Sequence, residues 1–351
     1  MVAQTDTGAR SPIGFSGKML FAVPLTWSLF QLWYASPLPF VVGFGVFNDT
    51  EARAIHLTFA LFLAFTAYPA FKHSPRKSIP IQDWIFAIAG AFSAAYLYIF
   101  YEELSGRSGA PTNIDIAVGV CGMLLLLEAT RRALGPPLMV VAIIFLTYTF
   151  GGPYMPEVIA HKGQSLSKVM SHQWLTTEGV FGVALGVSTS FVFLFVLFGA
   201  MLEKAGAGNY FIKMAFAMLG HMKGGPAKAA VVASATTGLI SGSSIANVAT
   251  TGTFTIPLMK RVGFPGTKAG AVEVAGSTNG QLTPPVMGAA AFLMIEYVGI
   301  TYIEVIKHAI LPALISYIAL VYIVHLEALK ANMKGIPKTV QSTLAQKLMT
   351  A

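Results

Sequence analysis

Long apolar segments alternate with short polar ones along most of the 351-residue chain. Each apolar segment approaches the roughly 20 residues that a helix needs to cross about 30 Å of hydrocarbon. We therefore predict an all-α, polytopic membrane protein. Its full spans are expected near residues 19–35, 54–71, 84–101, 114–130, 134–152, 179–202 and 302–326.

The apolar segment at 229–259 departs from this pattern because it is too long for one ordinary span. Its 31 residues carry no charge and no histidine, and as a single helix they would extend about 46 Å. The sequence SGSS at 241–244 interrupts the segment with residue types that break helices. We predict a helix running to about Leu239, a break, and a short returning helix, which together form a re-entrant hairpin or a discontinuous helix.

A second interruption is predicted in GSTNGQLTPPVMG, residues 276–288. Pro284 and Pro285 remove two backbone donors, so the helix should break near Asn279–Thr283. A break inside the bilayer leaves backbone groups without partners, and it survives only against protein or a polar cavity. Those groups can bind a cation at a half-helix C-terminus and an anion at an N-terminus. Two such breaks are therefore typical of a transporter.

Composition and charge placement agree with a membrane protein. Hydrophobic residues make up 55% of the chain and charged residues 11%, against roughly 25% charged in ordinary soluble domains. Basic loops after the second and fourth spans alternate with acidic or mixed loops after the first and third, which predicts a cytoplasmic N-terminus. On this count 153–178 lies outside, with Trp174 as an interfacial anchor. We find no indication of nucleic-acid binding, and the single Cys121 offers no disulfide framework.

Polar residues near the two interruptions form the candidate site. Ser241, Ser243, Ser244 and Asn247 are candidate lining of a polar cavity, although small residues also mediate close packing of membrane helices. Glu273 precedes the second interruption. Within the membrane this carboxylate is expected to be a proton carrier, a cation partner or a structural acceptor. At the interface it would simply be solvated.

The two interruptions together carry a family resemblance. SGSSIANVATTGTFTIPLMKRVGF (241–264) and AGAVEVAGSTNGQLTPPVMGAAAFLM (269–294) resemble the large membrane subunit of tripartite ATP-independent periplasmic (TRAP) transporters, specifically the fused permeases of the TAXI branch. The resemblance implies that a periplasmic TAXI-type solute-binding protein delivers a small anionic solute, an organic acid or amino acid. A cation gradient would then drive uptake across the bacterial or archaeal inner membrane by an elevator-type movement.

The resemblance also implies which residues bind the solute and the cation. The hairpin tip of the family matches Ser241–Ser244, and its unwound stretch matches Gly276–Asn279, with the two prolines holding the break open. The implied substrate and cation site comprises Ser241, Gly242, Ser243, Ser244, Asn247, Gly276, Ser277, Thr278, Asn279, Pro284 and Pro285; its sodium ligands would come from Ser241, Ser243, Asn247, Gly276 and Thr278. Many members have Asp where this chain has Asn247, which leaves proton coupling through Glu273 as an alternative to sodium. No cofactor besides the coupling ion is expected.

The resemblance divides the chain into four parts. Residues 1–152 resemble the small subunit with an extra connecting helix, 153–178 a periplasmic interfacial segment, 179–328 the first half of the large subunit, and 329–351 a cytoplasmic tail or linker. The transport module of the family is an inverted pair of repeats, whereas we find one hairpin and one broken helix. We therefore expect half of a permease, whose second half lies in the same or another chain.

Three other classes of protein are weighed against a transporter. A non-transporting structural membrane subunit remains an alternative because half of the expected machinery is not found. An ion channel is less well supported, because no acidic ring is evident. An intramembrane serine protease would need a Gly-x-Ser-Gly setting and a membrane histidine, and 229–259 contains neither. We predict that the chain is not an enzyme.

Overall fold

The computed structural model describes residues 8–333, and all regular secondary structure in this range is helical. The first eight helices are α1 (Phe15–Ala35), α2 (Leu38–Val42), α3 (Asp49–Ala67), α4 (Ile81–Ile99), α5 (Tyr101–Gly106), α6 (Asn113–Leu134), α7 (Pro136–Gly151) and α8 (Leu166–Trp174). The remaining helices are α9 (Val183–Lys204), α10 (Ala207–Leu219), α11 (Gly225–Ser241), α12 (Ser244–Arg261), α13 (Gly266–Asn279), α14 (Ala289–Val298) and α15 (Tyr302–Lys330).

Helices occupy all seven predicted spans, which confirms the prediction of an all-α, polytopic membrane protein. In the described part of the chain, four helical segments are long and apolar enough to cross a membrane: α6, α7 with the 3₁₀ turn that follows it, α9 and α15. Helix α7 has no buried residue. The predicted tail at 329–351 lies, beyond Met333, outside the described residues.

The chain divides into two compact units, residues 1–190 and 191–351. The division falls in the π-helical segment Ser188–Val192 within α9. The first unit has a core in which Leu61 and Phe65 of α3 pack against Ala87 and Ala94 of α4. Gly90 allows this close approach, since a Cβ there would lie 3.4 Å from the Phe65 ring.

A buried ionic cluster joins three segments of the first unit. Asp83, in the first turn of α4, accepts hydrogen bonds from Arg10 and, at 2.7 Å, from Arg132 near the end of α6. The side chains of Arg10 and Arg132 are at most 1% exposed. The packing of these two arginines gives them a structural role that their position in the sequence did not indicate.

Trp174 is buried, so its prediction as an interfacial anchor was wrong. Its side chain is 1% exposed and donates a hydrogen bond from Nε1 to the Ser93 carbonyl at 3.0 Å. Gly119 and Gly122 of α6 provide the space for the indole and its Cβ. The apolar face of the short amphipathic helix α8 therefore belongs to the core of the first unit.

The second unit is organised around α11, which is rich in small residues. Helix α12 folds back along α11, and α13 packs against both. At one end of these helices Ala227, Met259 and Ala269 share a core cluster with Ala328 of α15. Small side chains allow the close backbone approach that brings two helix interruptions together.

Candidate functional site

The first interruption separates α11 from α12. Gly242 ends α11 with φ of 59° and ψ of −8°, and Ser243 is extended and caps α12 by accepting from the Ala246 N–H at 3.3 Å. Glycine is required because φ is positive and because a Cβ would overlap the Met287 carbonyl oxygen. The predicted break is confirmed, but the returning helix is not short: α12 has 18 residues and α11 has 17.

The second interruption lies between α13 and α14. Helix α13 ends at Asn279 and continues into the 3₁₀ turn Gly280–Leu282, after which a cis Pro284–Pro285 peptide precedes α14. The interruption predicted near Asn279–Thr283 is thus confirmed, but the unwound stretch that the resemblance implied was wrong. Gly276–Asn279 form the last turn of α13 and are not unwound, because the prolines act on the residues immediately before them and not on a turn further upstream.

The two interruptions pack directly against each other. A Cβ on Gly238 would lie 2.7 Å from the Gly280 Cα, so the two backbones cross in contact. Gln281 also donates from Nε2 to the Ser244 Oγ at 2.9 Å. The hairpin tip and the broken helix therefore form one structural site.

Two tyrosines of α15 brace the second interruption. The Tyr317 hydroxyl lies 3.2 Å from both the Gly276 carbonyl oxygen and the Thr283 Oγ1. The Tyr302 hydroxyl donates to the Pro285 carbonyl. These hydroxyls occupy acceptors that the helix leaves without an intrahelical partner, which is the requirement for a stable break in an apolar environment.

Asn247 lies in the second turn of α12, behind the hairpin tip. It is 1% exposed, and its Nδ2 donates to the Ser234 carbonyl at 2.9 Å. Its Oδ1 is buried and has no hydrogen-bond partner among residues 8–333. An unsatisfied buried acceptor costs about 1–3 kcal/mol, so this oxygen is positioned to gain from a cation or a proton donor.

Glu273 on α13 is buried within a cage of hydroxyl groups, so the interpretation of a solvated interfacial carboxylate was wrong. It is 1% exposed. Its Oε1 accepts from Ser234 at 3.1 Å, from Ser277 at 3.3 Å and from Thr251, and its Oε2 accepts from Thr255. No basic side chain among residues 8–333 forms an ion pair with it.

The cage can satisfy both protonation states of Glu273. Thr251 Oγ1 lies 2.8 Å from the Asn247 carbonyl oxygen, and Thr255 Oγ1 lies 3.0 Å from the Thr251 carbonyl oxygen. Each threonine hydroxyl has one proton, which it can donate either to the carboxylate or to its helix carbonyl. When Glu273 is protonated, the threonine hydroxyls can donate to the helix carbonyls instead. One of these hydroxyl oxygens can then accept a hydrogen bond from the carboxyl O–H.

Asn247 and the cage belong to one polar network. Ser234 contacts both, through its carbonyl and its hydroxyl. Ser234, Thr251 and Thr255 were not among the residues predicted for the site. Asn247, Thr251 and Thr255 are spaced four residues apart, which places them on one face of a helix. This spacing could have identified the polar face of α12 from the sequence.

The other residues predicted for the site lie in different environments. Ser241 and Ser243 are at the hairpin tip, where the Ser243 N–H donates to the Ser241 Oγ at 3.4 Å. Gly276 packs against Ser234, where an added Cβ would lie 3.3 Å from the Ser234 Cβ. Thr278 is exposed and donates to the Val274 carbonyl at 2.7 Å, away from the break.

Comparison with protein families matches residues 121–351 to the model described as the DctM component of the tripartite ATP-independent periplasmic transporter. This match covers more than half of the chain and includes both interruptions. The chain belongs to the DctM family of TRAP transporter permeases. Membership places it among multi-pass proteins of the inner membrane that serve as permease components.

Several curated relatives are themselves large permease proteins. The chain is similar to the C4-dicarboxylate TRAP transporter large permease protein DctM of Pseudomonas aeruginosa, with 31% identity over 147 residues, 41% of this chain and 33% of the relative. The protein of the same name from Vibrio cholerae is 26% identical over 211 residues, 57% of this chain and 44% of the relative. The Rhodobacter capsulatus protein is 37% identical over 91 residues, 26% of this chain and 21% of the relative. The chain thus spans less than half the length of these relatives.

Proposed function

We propose that this permease component takes part in cation-coupled uptake of a small anionic solute, with a four-carbon dicarboxylate as the first candidate. The solute class follows the names of the relatives, and a periplasmic solute-binding protein would deliver it. The observation that carries the proposal is the packing of two helix interruptions beside the unpartnered buried Oδ1 of Asn247.

The proposed solute site uses the start of α12 and the second interruption. Backbone N–H groups at a helix N-terminus and the positive end of its dipole favour a carboxylate. Ser243 and Ser244 add hydroxyl groups there, and Gln281 adds an amide from the opposite side. The cation would use oxygens: the Asn247 Oδ1, the hydroxyl groups of Ser241 and Ser243, and carbonyls at the end of α11.

The proposal includes two alternative coupling ions, sodium and the proton. Asn247 supplies a neutral oxygen, which weakens a sodium site relative to a carboxylate at that position. The hydroxyl cage of Glu273 supports the proton alternative, because rotation of its threonine hydroxyls accommodates either protonation state. In the proton mechanism, loading of Glu273 would change the direction of hydrogen bonds next to Asn247.

We further propose four more specific properties of the chain that the resemblance implies. These are the TAXI branch, fusion of a small-subunit-like region, a cytoplasmic N-terminus, and a second inverted half supplied by polypeptide outside this sequence. A non-transporting structural subunit is the rival function. It predicts that variants at the interruptions alter assembly but leave the rate per assembled transporter unchanged.

The test is uptake of radiolabelled succinate into proteoliposomes that contain the assembled permease and its binding protein. Sodium is omitted at fixed pH in one arm, and the pH gradient is collapsed at fixed sodium in another. Asn247→Ala should lower uptake at least about tenfold, since it removes a proposed oxygen ligand of the cation, a loss comparable to that of a hydrogen bond to a charged group. The exposed Asn209→Ala is the matched control.

The coupling ion is separated by Glu273→Gln. This change keeps the size of the side chain and removes its titration. Proton coupling predicts that the variant loses the response to a pH gradient while it still exchanges solute. Uptake that requires sodium in both proteins and ignores the pH gradient would reject Glu273 as the proton carrier. Equal rates for Asn247→Ala and Asn209→Ala would reject the proposed site.

A further inference from the structure

Lys228 is a buried cation without an acidic partner in the described part of the chain. It lies in the first turn of α11 and is 7% exposed. Its Nζ lies 2.9 Å from the Nδ1 of His325 on α15, and no ion pair within residues 8–333 includes it. Burial of a charge is costly unless an opposite charge or several hydrogen bonds compensate for it.

The Lys228–His325 pair presents hydrogen-bond donors to a ligand. An ammonium group has no acceptor, so the Nδ1 of His325 must accept and the proton of the neutral ring must lie on Nε2. The pair therefore offers the remaining ammonium protons and one imidazole N–H. This donor set suits an anionic group with at least two acceptor oxygens.

Both side chains line a cavity of about 530 Å³ in the second unit. The rest of the lining is mostly apolar and includes Leu219, Val232 and Val321. Along α15 the lining runs from Tyr317 to His325, a rise of about 12 Å. The cavity thus joins a cationic end to an apolar groove long enough for a substantial part of an acyl chain.

The cationic end of the cavity lies where basic residues gather in this unit. The starts of α11 and α13 and the end of α15 lie together, because Lys228 contacts His325 and Lys268 pairs with Glu327. On α15, next to the cavity, Ile318 and Tyr322 expose large apolar surfaces. A transmembrane helix with this arrangement places charged groups at headgroup depth and its apolar face against lipid.

We propose that this cavity binds one anionic phospholipid. Its phosphate accepts hydrogen bonds from Lys228 and His325, and one acyl chain lies in the groove along α15. A free anion would leave the apolar groove unfilled, and a zwitterionic lipid, whose own cation offsets its phosphate, would leave the charge of Lys228 without net compensation. A bound lipid of this kind satisfies both parts of the cavity.

The experiment uses the full 351-residue chain, delipidated in detergent and titrated with dioleoyl phosphatidylglycerol. Bound lipid is counted by native mass spectrometry, and dioleoyl phosphatidylcholine is the comparison lipid. We expect one tightly held phosphatidylglycerol per chain. Lys228→Met should weaken its binding at least about tenfold, since a charge-assisted hydrogen bond is lost. Lys228→Arg should retain binding, and the exposed Lys223→Met should bind as the unmodified chain does.

Val321→Trp tests the groove independently of the charge. It fills the space proposed for the acyl chain and keeps both donors, so phosphatidylglycerol should again be lost. The melting temperature of each variant, measured without lipid, separates lost binding from lost folding. If Lys228→Met does not fold, the charge-retaining and groove variants carry the test.

Three results would overturn the proposal. Equal retention of the two lipids by the unmodified chain would remove the role of the net negative charge, since both lipids carry a phosphate. Equal affinities of Lys228→Met and Lys223→Met would remove Lys228 from the site. Binding of inorganic phosphate to the unmodified chain and to Val321→Trp alike, without preference for phosphatidylglycerol, would identify a soluble-anion site instead.

Discussion

Gly238→Ala tests whether the two helix interruptions are held in contact. The added Cβ would lie 2.7 Å from the Gly280 Cα, whereas carbon atoms pack best at about 3.5–4.0 Å. The obstacle is backbone, so the segments must separate by roughly 1 Å. Overpacking of this kind costs about 1–3 kcal/mol, while the change from glycine to alanine in a helix contributes a gain of about 1 kcal/mol.

Gly270→Ala is the matched control because it isolates the gain in helix propensity. Gly270 lies inside α13, and a Cβ there would meet nothing within 4 Å. The difference between the two variants is therefore the steric term, about 1–3 kcal/mol. For a unit of this size each kcal/mol corresponds to a change in melting temperature of roughly 2–4 °C. We expect Gly238→Ala to melt several degrees below Gly270→Ala.

The assay is thermal unfolding of the full chain in detergent, followed by far-ultraviolet circular dichroism. Tryptophan fluorescence is unsuitable because all four tryptophans lie in the first unit. Hydrogen exchange of residues 280–288 gives a local readout and should become faster in Gly238→Ala alone. A melting temperature of Gly238→Ala at or above that of Gly270→Ala would refute the close crossing.

Three further substitutions separate buried from exposed interactions. Asp83→Asn leaves Arg10 buried with a neutral partner, while Arg132 keeps its ion pair with Glu128, and should destabilise the first unit by about 3–5 kcal/mol; unchanged unfolding by tryptophan fluorescence would contradict this. Tyr317→Phe removes the hydroxyl that braces the second interruption, at a cost of about 1–3 kcal/mol, and should speed hydrogen exchange there, whereas unchanged exchange would show that the brace is dispensable. Lys268→Met breaks an ion pair whose lysine is 50% exposed and should change stability by less than about 1 kcal/mol, so a larger loss of melting temperature would show a role beyond that pair.

The location of the helices and of their interruptions could be predicted from neighbouring residues alone. Membrane spans follow from runs of apolar side chains, and both breaks follow from local chemistry: a glycine among serines at 241–244 and two consecutive prolines at Pro284 and Pro285. The second break lies at the predicted Asn279–Thr283, whereas the stretch that the resemblance implied to be unwound, Gly276–Asn279, is helical. Proline restricts the residue before it, and nothing in Gly276–Asn279 itself prevents them from finishing a helix.

The environment of each polar side chain depended instead on residues far away in the chain. The sequence alone is compatible with either a solvated or a buried Glu273. Only the packing of α11 and α12 surrounds its carboxylate with Ser234, Thr251 and Thr255. The neighbours of Trp174 in the sequence are typical of an interfacial residue. Its side chain is nevertheless buried, because the glycines of α6 leave space for it. The hydrophobic pattern specifies which segments become helices because it acts between neighbours. Which helix faces meet is specified by packing over the whole unit, and that packing selects the partners of each buried polar atom.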